Sequence, residues 1–565
     1  MAPLRIVVIG GVACGPKAAA RARRLDPEAE ITVLEQGEHI SYAACGIPYY
    51  IGGQTEHLEA LLSTPVGIKR DPAFFRRVKA VNFLTRTRAE SIDRKKKVVH
   101  AVNLETGEQL SLPYDRLVIA TGARPARLPV PGTDLPNVHH IWTPDDAQVI
   151  RSKLATGKIG QVVIVGAGLI GLEVAESILR ARGLPGGPPR VVVLEAMPHI
   201  TPALLDPEIA ALVTKHLNIN RLQIRVNELV QRIEPAENGS MNVITPNGAV
   251  PADLVLVAIG ARPNVTLAQE AGLEIGGTGA IKVNERMQTS DPDIYAGGDC
   301  VESTHLITAK PIYTPLGSVA NKQGRVIGTN IVGGRETFPG VLATSIYKVF
   351  DYTVGRTGLT EKQAQDFGYQ VETILVAGSD RAHFYPGHAA VHVKLVVDAP
   401  SRKLLGAQIV GPGEINKRLD VIVACLHMGA TVDQLAYFDL AYAPPYNTSM
   451  DVLHHAANTL RNKLDGLART IEVPEMKEML ERGEEVVFVD VRTNREFSDV
   501  PPIRDQVKFI PLAKIRELHE RLPRDKTLVP YCTVSMRAWE AQRVLDGLGF
   551  KDVRFLEGGL SSWPY

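Results

Sequence analysis

Two cysteines of this chain have neighbours that suit sulfur chemistry, and they lie far apart in the sequence. Cys45 lies in SYAACGIPYY, residues 41–50, and Cys532 begins a loop that runs to Arg537. A loop of this length can surround a sulfur anion with backbone N–H groups and a helix N-terminus. Cys45 belongs to no C-x-x-C pair. A redox cycle at Cys45 therefore needs an external partner and passes through a mixed disulfide, a persulfide or a sulfenic acid. The alternative for Cys45 is a buried, inert thiol.

A strand, a glycine turn and a helix at the start of the chain predict a nucleotide site. Arg5 to Ile9 are expected to form an apolar strand, and the turn that follows, from Gly10 to Gly15, has the pattern G-x-V-x-x-G. Such a turn directs N–H groups and a helix dipole at a pyrophosphate. A second strand, ITVLE, ends at Glu35, where a carboxylate can accept hydrogen bonds from a ribose.

The same arrangement occurs again from residue 161 onward. QVVIVGAGLIGLEVAE contains Gly166, Gly168 and Gly171, and VVVLE ends at Glu195. Two such units predict two bound dinucleotides, one in each of two domains. A carboxylate at Glu195 would repel the 2′-phosphate of NADP, so we expect NAD in the second site.

Composition and charge are those of a soluble α/β protein. The length of 565 residues is sufficient for about three or four domains. A net charge of +1 gives no electrostatic footprint for nucleic acid or an anionic membrane, and no apolar run reaches the roughly 18 residues that span a bilayer. The five cysteines are odd in number and widely spaced. They favour a reducing compartment over a disulfide framework or a zinc site, so we expect a cytoplasmic protein without a metal.

Three later segments connect the two nucleotide units to one protein family. LVIATGARP, LVLVAIGARPN and SDPDIYAGGDC begin at residues 117, 254 and 290, and with them the chain resembles the two-dinucleotide flavoprotein disulfide reductases over residues 1–460. The resemblance implies an α/β fold with two Rossmann-like domains, which bind FAD (residues 1–150 and 252–330) and NAD (residues 151–251). It also implies an α/β dimerisation domain at residues 335–460. In this family Thr121, Gly122 and Gly298 would belong to the cofactor sites, and Asp299 would face the flavin.

The C-terminal part of the chain resembles a different family. Asp490-Val491-Arg492, the loop from Cys532 to Arg537 and the closing LEGGLSSW are similar to those of a rhodanese domain. The resemblance implies a C-terminal rhodanese α/β domain at residues 470–565 that carries sulfane sulfur on Cys532. Two features differ from that family: Ser535 replaces the usual loop glycine, and SDVPPIRDQVKF replaces a histidine-and-proline turn.

The residues around Cys45 narrow the first resemblance. The pattern S-[FY]-x-x-C-G-x-P-Y, which begins at Ser41, resembles the single-cysteine branch of the flavoproteins. This branch contains coenzyme A disulfide reductases, NADH-dependent persulfide reductases, NADH oxidases and NADH peroxidases. The oxidases and peroxidases usually have a histidine in the first glycine turn, and GGVACG has none. The coenzyme A disulfide reductases commonly have asparagine where this chain has Ala44.

The helix after the first turn carries Lys17, Arg21 and Arg24 at helical spacing. Members of the coenzyme A branch have a basic helix at this place, and these three side chains could hold the phosphates of an adenosine 3′,5′-diphosphate. The alternative is an ordinary solvated helix face.

Aromatic segments in the expected dimerisation domain complete the resemblance. In the family, tyrosines of this domain reach the cysteine of the partner subunit, which implies a homodimer with shared sites. RAHFYPG and LAYAPPYN offer Tyr385 and Tyr442 as the matching residues, with Tyr446 as a competitor for the second position. The alternative for each tyrosine is packing in the core or in the interface.

Together these features predict an FAD-dependent enzyme that oxidises NADH and reduces sulfur compounds. The expected substrates are coenzyme A persulfide, polysulfide and related disulfides, with hydrogen sulfide or a thiol as product and coenzyme A as substrate or bound ligand. Cys45 would be the redox thiol, and Cys532, assisted by Arg537, would carry sulfane sulfur. Two alternatives stay open: an NADH oxidase or peroxidase with a Cys45 sulfenic acid, and a redox-sensing sulfur carrier.

Overall fold

The structure, a computed structural model, describes residues 2–220 and 222–565. The chain divides into two compact units, one of Met1–Ala196 with Arg225–Val341 and one of Met197–Ile224 with Leu342–Tyr565. Cys45 and both glycine turns belong to the first unit, and Cys532 belongs to the second.

The N-terminal part of the first unit alternates strands and helices. Its strands are β1 Arg5–Ile9, β2 Glu30–Leu34, β3 Asn82–Leu84, β4 Thr87–Asp93, β5 Val98–Asn103, β6 Gln109–Pro113, β7 Arg116–Ile119, β8 Ala123–Pro125 and β9 Val138–His140. Its helices are α1 Cys14–Leu25, α2 Ile47–Ile51, α3 Glu59–Leu62, α4 Pro72–Lys79 and α5 Pro144–Ala155.

The middle of the chain repeats the pattern. The strands are β10 Gln161–Val165, β11 Arg190–Leu194, β12 Gln223–Arg225, β13 Arg232–Pro235, β14 Met241–Thr245, β15 Gly248–Ala252, β16 Leu254–Val257, β17 Ala261–Pro263, β18 Ile294–Ala296, β19 Ser303–Thr304 and β20 Pro311–Ile312. The helices are α6 Leu169–Leu179, α7 Pro207–Ile219, α8 Thr266–Glu270 and α9 Gly317–Asn330.

The rest of the chain lies in the second unit and contains two further α/β parts, each with its own sheet. Its strands are β21 Ser345–Val349, β22 Tyr352–Gly358, β23 Val371–Ser379, β24 Ala390–Asp398, β25 Leu404–Gly411, β26 Thr470–Ile471, β27 Val486–Asp490, β28 Lys508–Phe509, β29 Thr527–Tyr531 and β30 Phe555–Leu556. Its helices are α10 Glu361–Asp366, α11 Asn416–Met428, α12 Val432–Leu435, α13 Val452–Leu464, α14 Val473–Glu481, α15 Asn494–Asp499, α16 Ile515–Leu518 and α17 Met536–Gly547.

A parallel sheet of order β18-β7-β1-β2-β3 forms the centre of the first unit. Its register places Leu34 and Ile119 on either side of Ile9, and Ala296 beside Ile119. Because these residues end parallel strands, the segments that follow them meet at one edge of the sheet. Each segment predicted to bind the first dinucleotide therefore starts at that edge. In the second sheet, of order β12-β11-β10-β16-β9, the strands β11, β10, β16 and β9 pair in parallel and repeat the arrangement for the second turn.

The alanine content of α1 reflects its close packing on α9. Ala18 and Ala22 are buried. A Cβ added to Gly324 would lie 2.5 Å from the carbonyl oxygen of Cys14, and one added to Gly328 would lie 2.5 Å from that of Ala18. Only small residues allow this approach, and it fixes the helix that begins at the first glycine turn.

The second unit joins an antiparallel sheet of order β21-β22-β25-β24-β23 to a smaller parallel sheet of order β28-β27-β29. A buried ion pair connects the two domains. The Glu557 carboxylate, 2% exposed, accepts hydrogen bonds from the Leu375 N–H (2.9 Å), Lys463 Nζ (2.9 Å) and Thr470 Oγ1 (2.7 Å). A buried carboxylate is tolerated when its partners satisfy it in this way, so the C-terminal domain is docked by polar contacts of defined geometry.

In the part of the chain that the structure describes, we find no helix with the length and apolar character required to cross a membrane.

Candidate functional site

The first glycine turn packs tightly against the sheet edge. Gly10 has a φ of +114°, and a Cβ there would lie 2.0 Å from the Ala120 carbonyl oxygen. A Cβ on Gly15 would lie 2.0 Å from the Gly10 carbonyl oxygen. The turn therefore requires glycine at both predicted positions, which leaves the N-terminus of α1 directly at the edge.

Glu35 holds the first turn from the neighbouring strand. Its carboxylate accepts the N–H of Gly11 at 2.7 Å and the N–H of Gly37 at 2.8 Å. This position, just beyond β2, is the one predicted for a ribose-binding carboxylate. The carboxylate thus orients the first turn from the position predicted for ribose binding.

The second turn has the same construction. Gly166 has a φ of +106°, and a Cβ on Gly171 would lie 2.1 Å from the Gly166 carbonyl oxygen. Glu195 is buried, and its carboxylate accepts the Ala167 N–H at 2.8 Å. Gly168 precedes the first residue of α6, and a Cβ there would meet nothing within 4 Å. Within the described residues neither α1 nor α6 begins with a side-chain cap, so N–H groups of both are available to an anion.

The segments that follow β7 and β18 lie at the same edge of the first parallel sheet as the glycine turn. Thr121 Oγ1 donates to the Asn264 carbonyl oxygen at 2.7 Å, and the Asn264 N–H bonds to the Gly122 carbonyl oxygen at 2.9 Å. The Gly298 N–H is bonded to Gln323 at 2.8 Å, and burial raises the pKa of Asp299 to about 6. All of these predicted cofactor residues lie in the first unit.

Cys45 lies on a short 3₁₀ turn, Ala44–Gly46, that leads into α2. The Ser41 N–H bonds to the Gly11 carbonyl oxygen at 2.8 Å, which joins the segment to the first glycine turn. A Cβ on Gly46 would lie 2.3 Å from Leu61 Cδ2, so a larger residue after the cysteine would displace the Leu61 side chain. Cys45 itself is exposed, unlike the other four cysteines, Cys14, Cys300, Cys425 and Cys532, which are buried. The prediction of a reactive rather than inert thiol therefore agrees with its exposure.

The charges near Cys45 oppose the thiolate. Its pKa is raised by partial burial of the thiol and by the carboxylates of Glu173 and Asp299. Glu173 lies on α6, accepts a hydrogen bond from the Tyr49 hydroxyl at 3.3 Å, and has a pKa raised to about 7 by burial. Glu173 is not among the residues predicted from the sequence. The signal that could have identified it is its position two residues after Gly171, on the helix that starts at the second nucleotide turn.

The basic helix face is present but only partly free. Lys17 and Arg24 are exposed on α1, and Arg24 Nε bonds to the Ala20 carbonyl oxygen at 3.0 Å. Arg21 is half-buried and donates through Nε to Thr329 Oγ1 of α9 at 3.1 Å. Lys17 and Arg24 are thus the two exposed cations of the three.

The three tyrosines predicted near the cysteine belong to the second unit. Tyr385 is 37% exposed, Tyr442 is 53% exposed and Tyr446 is 66% exposed. The alternative of burial in the core of their own chain is therefore wrong for all three, and their rings are available for contact.

Three carboxylates also converge in the second unit. Lys394 Nζ lies 3.1 Å from Asp206 Oδ2 and 2.6 Å from Glu361 Oε2, and it also bonds to Glu208. Burial alone would lower the pKa of Lys394, but these carboxylates raise it. The cluster is an ion-pair network centred on an ammonium group.

The loop predicted around Cys532 is formed as expected between β29 and α17. Its first residues are held by the closing segment: the Leu560 N–H bonds to the Cys532 carbonyl oxygen at 2.9 Å and the Ser561 N–H to that of Thr533 at 3.0 Å. Ser535, which replaces the usual glycine, has a left-handed φ of +77°. This conformation explains why a glycine suits the position.

Charged groups surround the loop. Arg537 forms two hydrogen bonds to Glu496, with Nη1–Oε2 at 2.7 Å and Nη2–Oε1 at 2.6 Å. These bonds raise the pKa of Arg537, and the Cys532 thiolate contributes in the same direction. Beneath the loop, the Tyr531 hydroxyl donates to Asp490 at 2.8 Å, and Asp490 pairs with the buried Arg492 at 2.7 Å. Asp490 and Arg492 belong to a motif recognised in the sequence, whereas Glu496, four residues beyond Arg492, was not predicted.

Profiles of known families match three consecutive parts of the chain. The profile of the pyridine nucleotide-disulphide oxidoreductases matches residues 4–322, and the profile of their dimerisation domain matches residues 344–453. The profile of the rhodanese-like domain matches residues 472–564. The predicted α/β fold and both resemblances are confirmed at this level.

Individual relatives share most of the chain or all of it. A CoA-dependent NAD(P)H sulfur oxidoreductase from Pyrococcus furiosus is 39% identical over 81% of this chain and 99% of its own. The structure of a NAD-dependent persulfide reductase from A. fulgidus has 43% identity and a TM-score of 0.93, covering 99% of this chain and 100% of that one. Reduced Bacillus anthracis CoADR-RHD has 33% identity and a TM-score of 0.91, covering 100% and 98%. This chain therefore belongs to the pyridine nucleotide-disulphide oxidoreductases and carries a rhodanese-like domain after their dimerisation domain.

Proposed function

We propose that this protein is an FAD-dependent reductase that uses NADH to reduce coenzyme A persulfide, polysulfide and related disulfides. The observation that carries the proposal is the exposed Cys45, whose segment is bonded to the first glycine turn. The carboxylate of Glu173, on the helix α6 that follows the second glycine turn, raises the pKa of Cys45. The names of the relatives from Pyrococcus furiosus and A. fulgidus point to the same substrates.

The residues at the first sheet edge fit FAD. Gly10 and Gly15 allow the tight turn that places the uncapped N-terminus of α1 at the sheet edge, where a pyrophosphate would bind, and Glu35 lies where the ribose would bind. Thr121, Gly122, Gly298 and Asp299 would line the rest of the cofactor. When bound, FAD supplies the two-electron chemistry that links a nicotinamide to a thiol.

The second turn fits a nicotinamide dinucleotide. Gly166, Gly168 and Gly171 form the phosphate cradle, and Glu195 would accept hydrogen bonds from the ribose hydroxyls. The buried Glu195 carboxylate would repel a 2′-phosphate, so NADH is the expected donor rather than NADPH. Equal catalytic efficiency with NADPH would contradict this assignment.

Cys45 performs the sulfur chemistry of the reductase. Its thiolate attacks one sulfur of the substrate S–S bond, a new S–S bond to Cys45 forms, and the old bond breaks with its electron pair on the departing sulfur. That sulfur leaves as hydrosulfide when Cys45 becomes a mixed disulfide, or as the parent thiolate when Cys45 becomes a persulfide. Two electrons and the required protons then return Cys45 to the reduced state.

Two other groups of residues would recognise the substrate. Lys17, Arg21 and Arg24 would hold the phosphates of coenzyme A, while Ser41 lies next to the cysteine segment. In a homodimer, Tyr385 and Tyr442 of one subunit, or Tyr446 in the second position, would hydrogen-bond the leaving sulfur at Cys45 of the other.

The C-terminal domain would exchange sulfane sulfur. The Cys532 thiolate attacks the outer sulfur of a persulfide or polysulfide, the S–S bond transfers its electron pair to the departing thiolate, and Cys532 keeps the sulfur as its own persulfide. This exchange involves no net oxidation. Arg537 would stabilise the sulfur anion.

Anaerobic NADH oxidation tests the proposal. Rates are compared for coenzyme A persulfide, polysulfide, coenzyme A disulfide and hydrogen peroxide as acceptors. We expect the sulfur compounds to be preferred, Cys45→Ser to abolish every one of these reactions, and Cys532→Ser to remove sulfur transfer while sparing small disulfides. Preference for peroxide, or retained disulfide reduction in Cys45→Ser, would contradict the proposal.

A further inference from the structure

Glu496 contacts both ends of the Cys532 loop. At the far end it binds the Arg537 guanidinium through two parallel hydrogen bonds of 2.7 and 2.6 Å. At the near end its Oε1 accepts a hydrogen bond from Thr533 Oγ1 at 3.0 Å. Thr533 immediately follows Cys532, so a single carboxylate links the start of the loop to its end.

The geometry points to Glu496 as the positioning residue of the sulfurtransferase loop, which holds the Arg537 guanidinium in place beside Cys532. The inference rests on the sulfur transfer proposed above for Cys532. Paired hydrogen bonds between a guanidinium and a carboxylate fix the plane of the guanidinium as well as its distance. The Glu496 carboxylate bonds to Arg537 and Thr533, and it acts on Cys532 through them.

Glu496 is itself held rigidly. It occupies the third position of α15 and forms a capping box with Thr493, whose N–H and Oγ1 bond to Oε2 at 3.0 and 2.7 Å. The preceding Arg492 is buried against Asp490. The start of α15, which follows β27, is therefore fixed, and the Glu496 carboxylate reaches the Cys532 loop from this position.

Two physical roles for Glu496 predict opposite effects. The hydrogen bonds hold the pKa of Glu496 well below its usual range, so it is charged at neutral pH. If this charge merely opposed that of Arg537, removing it would leave a stronger cation beside Cys532 and increase the reactivity of the thiolate. If Glu496 positions Arg537, removing the carboxylate frees the guanidinium to turn away, and sulfur transfer slows.

The substitution Glu496→Gln separates these roles without breaking the helix. Glutamine also serves at the third position of a capping box, so α15 keeps its start, but the paired ionic bonds to Arg537 are lost. Arg495→Gln is the matched control because Arg495 lies on the same helix, is exposed and pairs only with Asp499 among the described residues. Both changes are made in the full-length holoenzyme.

The measurement is the single-turnover rate at which inorganic polysulfide adds a sulfur atom to Cys532, followed by intact-protein mass spectrometry in a Cys45→Ser background. We expect Glu496→Gln to lower the saturating rate about tenfold. We expect the polysulfide concentration that gives half of this rate to stay within about twofold of the parent value, because Glu496 acts through Arg537 and not on the substrate. Arg495→Gln should stay within about twofold of the parent.

A rate for Glu496→Gln that equals or exceeds that of the parent would overturn the inference, as would an equal loss in Arg495→Gln. NADH-linked disulfide reduction by the same variants with Cys45 intact reports whether the protein is folded. Cys532→Ser gives the reference for the proposed function itself. If Cys532→Ser still transferred sulfur, that function would fail independently of Glu496.

Discussion

Cys45 is exposed as a redox thiol should be, yet its surroundings disfavour its charged form. Burial of the thiol and the carboxylates of Glu173 and Asp299 all raise its pKa. A thiolate is the attacking species in disulfide exchange, so the ionisation of Cys45 depends on the charge of its neighbours. Glu173 is the adjustable neighbour, because its own pKa of about 7 lies near neutral pH.

We predict that Glu173→Gln makes Cys45 more reactive. Glu173 carries its negative charge above a pH of about 7, and two like charges disfavour each other, so removing the carboxylate lowers the pKa of Cys45. Alkylation of Cys45 by iodoacetamide at pH 8 should become roughly threefold faster or more, with the pH profile moved to lower pH. The exposed Glu56→Gln serves as control. An unchanged or slower rate in Glu173→Gln would show that the carboxylate does not act on the thiol.

Ser535 presents a separate problem in the other loop. Its φ of +77° is unfavourable for a residue with a side chain. Its buried Oγ also finds no hydrogen-bond partner among the residues that the structure describes. Both features cost stability, and the structure offers no compensating contact of that hydroxyl.

Replacing Ser535 by glycine should therefore stabilise the C-terminal domain by about 1 kcal/mol. The free energy of unfolding of this domain is measured by urea denaturation, which is followed by the fluorescence of Trp539 and Trp563. Glu540→Gly, at an exposed position within α17, should have the opposite effect because glycine there only loosens the helix. Destabilisation by Ser535→Gly would mean that the hydroxyl contributes to the loop.

At the scale of elements, the strands and turns that depend on local residue patterns can be predicted from the sequence. The predicted apolar strand at Arg5 to Ile9 is β1. Glu35 and Glu195, predicted as the last residues of two strands, each lie one residue beyond the end of β2 and β11. Such positions follow from the alternation of buried parallel strands and glycine turns. Glu173 and Glu496 were not predicted, because their roles depend on contacts over 124 and 41 residues of sequence separation. No local periodicity carries that information.

The second glycine turn allows two functions of glycine to be separated. Gly171 has a Cβ position 2.1 Å from the Gly166 carbonyl oxygen, whereas the Cβ position of Gly168 is open. Gly171→Ala should therefore disrupt packing of α6 and lower thermal stability. The Gly168→Ala variant should fold normally and bind NADH about tenfold more weakly, because the added methyl group enters the space of the pyrophosphate. Thermal denaturation and the KM for NADH distinguish them, and an unchanged KM in Gly168→Ala would place the nicotinamide dinucleotide elsewhere.

At the scale of the whole molecule, the sulfur loop is connected to the dimerisation domain through the closing segment. Glu557 bonds to Leu375 and Lys463 on the dimerisation side, and three residues later the Leu560 N–H holds the Cys532 carbonyl oxygen. His392 adds a hydrogen bond to Ser562 at 2.9 Å. The C-terminal domain is thus seated on the dimerisation domain by the same segment that shapes its loop.

The last prediction concerns the homodimer that the dimerisation domain indicates. The cysteine and the exposed tyrosines belong to different units of the chain, and the proposed site takes them from two subunits. A two-fold interface is used reciprocally, so each subunit would complete the other. Cys45→Ser and Tyr385→Phe/Tyr442→Phe homodimers should each be inactive or nearly so. Random mixing makes half of the dimers heterodimeric, each with one complete site of two, so about a quarter of the parent activity should return.

This complementation is specific to tyrosines that act across the interface. If Tyr385 and Tyr442 served Cys45 of their own subunit, both halves of the heterodimer would be defective and no activity would return. Mixing Cys45→Ser with a Cys45→Ser/Tyr385→Phe/Tyr442→Phe subunit is the control, because such dimers contain no intact cysteine. Subunit exchange is verified by native mass spectrometry. Activity that stays at the level of the parents after verified exchange, or a fully active monomer in light scattering, would require the shared site to be abandoned.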